Sequence, residues 1–159
     1  MEWSPWISFS EVDRYRIPAK PGVYEIRCVS GRGKPFEIYR ASGVDEHGIL
    51  SIGETSNLSD RLHGFRRTIQ PHTKRSSHAA GWYYVSLGYN RVFKKEKLQF
   101  KYKVTGTKKQ AQKEEFILLC KYRSQFLDLP PLNNNPGKYP KRGWKKIMKA
   151  ITGIEPLEG

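Results

Sequence analysis

The chain reads as a single α+β domain, and three observations carry that reading. Leu98, Phe100, Tyr102 and Val104 alternate with Gln99, Lys101 and Lys103, the period of two of a half-buried strand. Leu58, Leu62, Phe65 and Ile69 recur at helical spacing as one apolar stripe. The length, 159 residues, suits one domain with a short appendage and supports a core without disulfide or metal staples.

Taken in order, Trp3, Trp6, Ile7, Phe9, Val12 and Tyr15 make an aromatic N-terminal segment. Ser10 is the expected cap of a short helix there, stopped by Ile17-Pro18-Ala19-Lys20-Pro21-Gly22. A strand is expected over 22–29, where Val23 and Tyr24 favour β structure. Turn residues at 30–33 and 45–48 bracket a second extended piece at 36–41. A short strand follows at 49–53. The Leu58 helix is expected to start at Ser56, with Asp60 near its positive end, and to stop at Pro71. Residues 70–80 read as a polar loop and 82–87 as a strand. The last long helix spans 108–123, with Ala111, Leu118, Leu119 and Tyr122 on one face and Phe116, Ile117 and Cys120 covering much of the rest. Such a helix should be largely buried. Pro130-Pro131 closes the segment. In the basic tail, Trp144, Ile147, Met148 and Ile151 fall at helical spacing.

Charge is the strongest compositional signal. Lys and Arg number 29 against 15 Asp and Glu, a net of +14, which favours polyanionic partners. Residues 61–110 hold 13 of those bases and a single acid, Glu96. An excess so concentrated suits a surface that tracks a phosphate backbone. The longest apolar run, Phe116 to Cys120, is far short of the ~20 residues that span a bilayer, and no leader is expected. Cys28 and Cys120 form no C-x-x-C pair, which excludes a disulfide framework and a four-cysteine zinc site. Both read as buried thiols in a reducing, cytoplasmic setting.

Three residues stand out chemically. Glu115 lies between Ala111 and Leu119 in the middle of an apolar helix face, where a carboxylate is costly unless paired. A divalent cation would pair it, and so would an arginine; the helix alone favours neither. Arg61 borders the Leu58 stripe on the first turn of its helix, where its fork suits a phosphate. Taken alone it also reads as an ordinary solvated arginine. Tyr24 reads, on composition, as a core aromatic.

In combination these residues resemble the GIY-YIG nuclease family. Gly22-Val23-Tyr24, Ser51-Ile52-Gly53 and Asn57-Leu58-x-x-Arg61-Leu62 occur in the family's order, after a lead-in Ile17-Pro18-x-x-Pro21 similar to its usual opening. Ala111-x-x-x-Glu115-x-x-Leu118-Leu119 is similar to its metal-site helix, and Pro130-Pro131-Leu132-Asn133 to its closing motif. The resemblance spans about residues 17–135. It implies a small, mostly antiparallel central sheet flanked by helices, and metal-dependent hydrolysis of phosphodiester bonds in DNA, with RNA the alternative substrate.

Under that resemblance Glu115 is the sole protein ligand of Mg²⁺ or Mn²⁺, in a shell completed by water. Arg61 stabilises the scissile phosphate. Tyr24 activates or orients the attacking water, although a phenol of pKa ~10 needs help to act as a base at neutral pH. Asn133 positions the helix end or the water network. Arg66, Arg67, Lys74, Arg75, Lys94, Lys95, Lys101 and Lys103 are the expected nucleic-acid contacts.

The chain also departs from the pattern. Ser51 stands where the family's second motif has tyrosine, and Glu54 stands where a lysine often follows Gly53. Residues 30–48 look like an inserted hairpin. Some members carry a histidine one turn after the motif arginine; Phe65 is there in this chain, and His63, His72 and His78 read as structural. The division expected is a nuclease-like domain over 1–137 and a basic extension over 138–159, acting as monomer or homodimer. Two rivals remain: the same scaffold as a weakened or inactive nucleic-acid-binding protein, marked by Ser51, and a basic structural protein on ribosomal RNA.

Overall fold

A computed structural model describes residues 2–70, 78–135, 137, 149–150 and 153. Its centre is a four-stranded antiparallel sheet in the order β1-β6-β2-β5. The strands are β1 (Ile7–Ser8), β2 (Gly22–Cys28), β5 (Ile49–Thr55) and β6 (Leu98–Val104). A separate two-stranded sheet, β3 (Ile38–Arg40) with β4 (Gly43–Asp45), is the expected inserted hairpin. Its turn end is fastened to residues 126–129. Arg40 pairs with Asp128 and donates to the Leu129 carbonyl, and the Ser42 amide donates to Phe126.

Three helices flank the sheet: α1 (Leu58–Thr68), α2 (Ala79–Ser86) and α3 (Lys108–Phe126). The predicted α1 stripe is real. Leu58, Leu62 and Phe65 are fully buried and pack with Tyr24, Ile26, Phe100 and Tyr84 in the larger core. On the opposite side Leu119, Tyr122 and Phe126 of α3 meet Ile49 and Ile52 of β5, with Trp6 at the margin. The sheet is thus covered on both faces, which gives the α+β architecture expected. Ile117 and Leu118 of α3 remain half-buried, so the helix is less enclosed than its composition suggested.

The segment 82–87 is not a strand but most of α2. Its β-favouring residues are overruled by packing. A Cβ at Gly81 would lie 3.0 Å from the Thr68 side chain, so glycine lets α2 rest closely on α1. His78 caps the new helix. Two other caps shift. Ser8, rather than Ser10, starts the short 3₁₀ turn Phe9–Arg14. Asn57, rather than Ser56, caps α1, its Oδ1 accepting from the Asp60 amide. Thr107 and Gln110 form a capping box on α3. No helix among the described residues is long and apolar enough to cross a membrane. Most of the expected basic tail, including Trp144, Ile147, Met148 and Ile151, lies outside the described residues.

Candidate functional site

The proline-rich lead-in acts through its carbonyls. Pro18 and Lys20 accept from the Ser59 and Leu58 amides, serving donors that the start of a helix leaves unpaired. That fixes where α1 begins, and so where Arg61 stands. Two motif glycines then permit close approach. A Cβ at Gly22 would sit 2.4 Å from the Lys103 carbonyl and 2.6 Å from Leu58 Cδ1, so only glycine lets α1 sit this tightly on β2. A Cβ at Gly53 would sit 2.3 Å from the Tyr24 hydroxyl. The two residues face each other across β2 and β5, and the phenol lies flat over the space that Gly53 leaves.

Tyr24 is 1% exposed, and its hydroxyl is the hub of the site. Arg61 Nε–H donates to it at 3.1 Å, and His78 Nε2 lies 3.0 Å away. The proton of His78 can be placed by its neighbours. The Gly81 amide donates to Nδ1 at 3.4 Å, as helix cap. Burial, with a smaller effect of the Arg61 charge, pushes the ring down to about 3. A neutral imidazole that accepts at Nδ1 carries its proton on Nε2. In that tautomer the phenol oxygen accepts from both Arg61 and His78. Burial raises the Tyr24 pKa, and the charge and hydrogen bond of Arg61 oppose that rise only in part. Burial thus favours the neutral phenol.

Sequence reasoning set His78 aside. It stands 54 positions from Tyr24 in a stretch read as loop, with no periodic pattern to mark it. The only local signal was its place before Ala79-Ala80-Gly81 as a helix cap. Phe65, at the position where a histidine was considered, packs edge-on against the His78 ring with centroids 5.0 Å apart. His63 is occupied elsewhere, with Nδ1 2.8 Å from the Ser59 carbonyl. His72 lies outside the described residues.

Glu115 reaches the site from α3. The Glu54 backbone is near enough to lower its pKa slightly. Burial first, and the Glu54 charge second, push it up to about 7, while Lys108 and Arg61 pull it down less strongly. Among the described residues no ion pair ties Glu115 to a cation. Lys108 pairs with Glu54 and Lys103 with Glu114. The buried Glu–Arg bridge, the alternative left open by the sequence, is therefore not what this helix contains.

Asn133 serves β5. Its Oδ1 accepts from the Ile52 amide at 2.9 Å and its Nδ2 donates to the Ile52 carbonyl at 2.7 Å. Leu132 N–H donates to the Leu50 carbonyl. The outer edge of β5 is served at residues 50 and 52. Asn133 thus braces the edge strand rather than a helix end. Ser51 is 2% exposed and opposite Ile26; it has no room for a phenol without displacing neighbours.

Any metal here would rest on few protein donors. Among the described residues no three His, Cys, Asp or Glu side chains cluster as ligands. An under-compensated carboxylate beside a second one does fit a hard ion that keeps most of its water, and does not fit a closed zinc site.

Of the expected nucleic-acid contacts, Arg66 pairs with Asp13, Lys101 with Glu25 and Lys103 with Glu114. Lys101 also lies over the Trp3 ring, 4.5 Å from its centroid. Arg67 is exposed on α1. Lys94 and Lys95 take part in no ion pair among the described residues. Lys74 and Arg75 lie outside them. A comparison with protein-family models finds no match, and searches of curated proteins and of solved structures find none either.

Proposed function

We propose that the chain is a GIY-YIG-type nuclease that hydrolyses phosphodiester bonds in DNA with the help of Mg²⁺ or Mn²⁺. The observation that carries this reading is the junction at the Tyr24 hydroxyl. There Arg61 is held by Nε alone, close enough for its charge to act on Glu115. The rest of its guanidinium has no ion-pair partner among the described residues. Its remaining N–H groups have the fork geometry that matches a phosphate.

Each residue then has a role. Arg61 binds the scissile phosphate and offsets the charge that grows on it in the transition state. Tyr24 lies behind the guanidinium and holds it, and the phenol's own proton is the remaining donor for a group that enters beside Arg61. His78 keeps that proton outward by filling the other side of the phenol oxygen. Glu115 would hold the ion, with Glu54 adding negative charge next to it. When bound, such an ion neutralises charge on the reacting phosphate and acidifies water. Gly22 and Gly53 maintain the close packing that brings these groups together.

The test is relaxation of supercoiled plasmid with Mg²⁺ or Mn²⁺. Wild-type protein should nick it, and chelator should stop the reaction. Glu115→Gln and Arg61→Ala should each lower the rate by about a thousandfold or more, with DNA binding retained. Wild-type rates in either variant would remove that residue from the mechanism. The rival reading, a binding protein without catalysis, is favoured by Ser51 alone. It wins if neither ion supports nicking while salt-sensitive binding persists.

A further inference from the structure

The expected DNA contacts left unabsorbed by ion pairs, Lys94 and Lys95, have company that sequence order hides. The Val29 amide donates to the Lys97 carbonyl at 3.0 Å, and the Ser30 amide to the Lys34 carbonyl at 2.7 Å. Phe36 and Phe93 meet edge-to-face, centroids 5.5 Å apart. These contacts fasten the turn at 30–34 to the loop at 91–97. The joined surface carries Arg32, Lys34, Arg91, Lys94, Lys95 and Lys97; all but the half-buried Lys95 are exposed. None of these cations takes part in an ion pair among the described residues, whereas Arg66, Lys101, Lys103 and Lys108 all do. Glu96 and Glu37 are the acids nearest in sequence.

The register fixes where this surface lies. Tyr24 faces Tyr102, and Cys28 faces Leu98. The patch begins just past that last pair, four residue rises or about 14 Å along β2 from the Tyr24 junction. A phosphate strand of a duplex covers that distance in about four nucleotides.

We propose that the 30–34 turn and the 91–97 loop together form a second phosphate-binding surface, which grips duplex DNA about four base pairs from the bond held at Arg61. The choice of DNA rests on the nuclease reading; the surface itself does not. A cationic surface with little carboxylate among its members gains affinity by releasing counterions, and that gain is read in the salt dependence of binding.

The experiment compares Glu115→Gln protein with the same protein carrying Arg32→Ala, Lys34→Ala, Lys94→Ala and Lys97→Ala. Binding of a 20-base-pair duplex is followed by fluorescence anisotropy from 50 to 300 mM KCl, and thermal melting checks the fold. The slope of log K against log salt should become shallower by about 3 in the multiple variant, with affinity at 100 mM falling more than tenfold. A slope and affinity matching the parent at unchanged melting temperature overturn the proposal. So does an effect confined to a folded RNA of equal length, or to vesicles of phosphatidylserine and phosphatidylcholine. If the variant loses duplex binding but the otherwise unmutated protein never nicks plasmid, the surface stands and hydrolysis falls. If nicking is found and the variant binds as the parent does, the surface falls alone.

Discussion

His78 shows what one buried side chain does to both stability and chemistry. Its pKa is pushed down to about 3, burial being the main cause. Between about 3 and the ordinary 6.5 the unfolded chain binds a proton that the folded protein refuses. Its contribution is therefore complete above pH 6.5 and lost as pH falls toward 3, by roughly 1.4 kcal/mol per unit and on the order of 5 kcal/mol in all. Gln at this position keeps an acceptor for Gly81 and a donor for Tyr24 but does not titrate. We expect the urea midpoint of His78→Gln to fall less than that of wild type between pH 7 and pH 4.5. An equal fall in both would show that His78 does not carry the acid sensitivity. The residue was invisible in the sequence because a lone polar side chain inside a polar stretch has no period. Glu115 and Arg61 were legible as anomalies on apolar helix faces. Tyr24 became legible only through the motifs around it, since by composition it is one more strand aromatic.

At the level of elements, strong periodicity was readable and context was not. β6 and α1 announced themselves by alternation and by stripe. α2 did not, because Trp82, Tyr83, Tyr84 and Val85 favour strands and only the packing of Gly81 on Thr68 decides for helix. Cap positions moved by one or two residues for a similar reason: several neighbouring side chains can cap, and tertiary contacts choose. The treatment of β5 was also beyond sequence reading. Its outer ladder is matched by a loop amide and an asparagine side chain. Removing the asparagine should be costly. Asn133→Ala deprives both the amide and the carbonyl of Ile52, and should lower stability by about 2–4 kcal/mol at ~1–2 kcal/mol per lost bond. A loss under 0.5 kcal/mol in equilibrium denaturation would mean that water serves that edge equally well.

Across the whole molecule, the two cores lie on opposite faces of one thin sheet, and the site draws on helices from both: Arg61 comes from α1 and Glu115 from α3. Glu115 illustrates the cost of that placement. Its carboxyl is pushed up to about 7, so between about 4.5 and 7 the folded protein keeps a proton that the unfolded chain gives up. Stability thus declines as pH rises through that window, by on the order of 3 kcal/mol. In metal-free solution at pH 8, Glu115→Gln should melt at a higher temperature than wild type, and the gap should close below pH 4.5. Added Mg²⁺ should raise the melting temperature of wild type only. Equal metal-free melting of the two proteins at pH 8 would argue that the acid carries no such cost.

The edges of the central sheet have a further consequence. Unpaired ladders invite other chains to add strands and seed fibrous aggregates. One border here is a strand of two residues, too short to template much. The other is stoppered by Leu132 and Asn133. A protein so rich in β-favouring aromatics gains from that cover, and loosening the stopper should cost solubility.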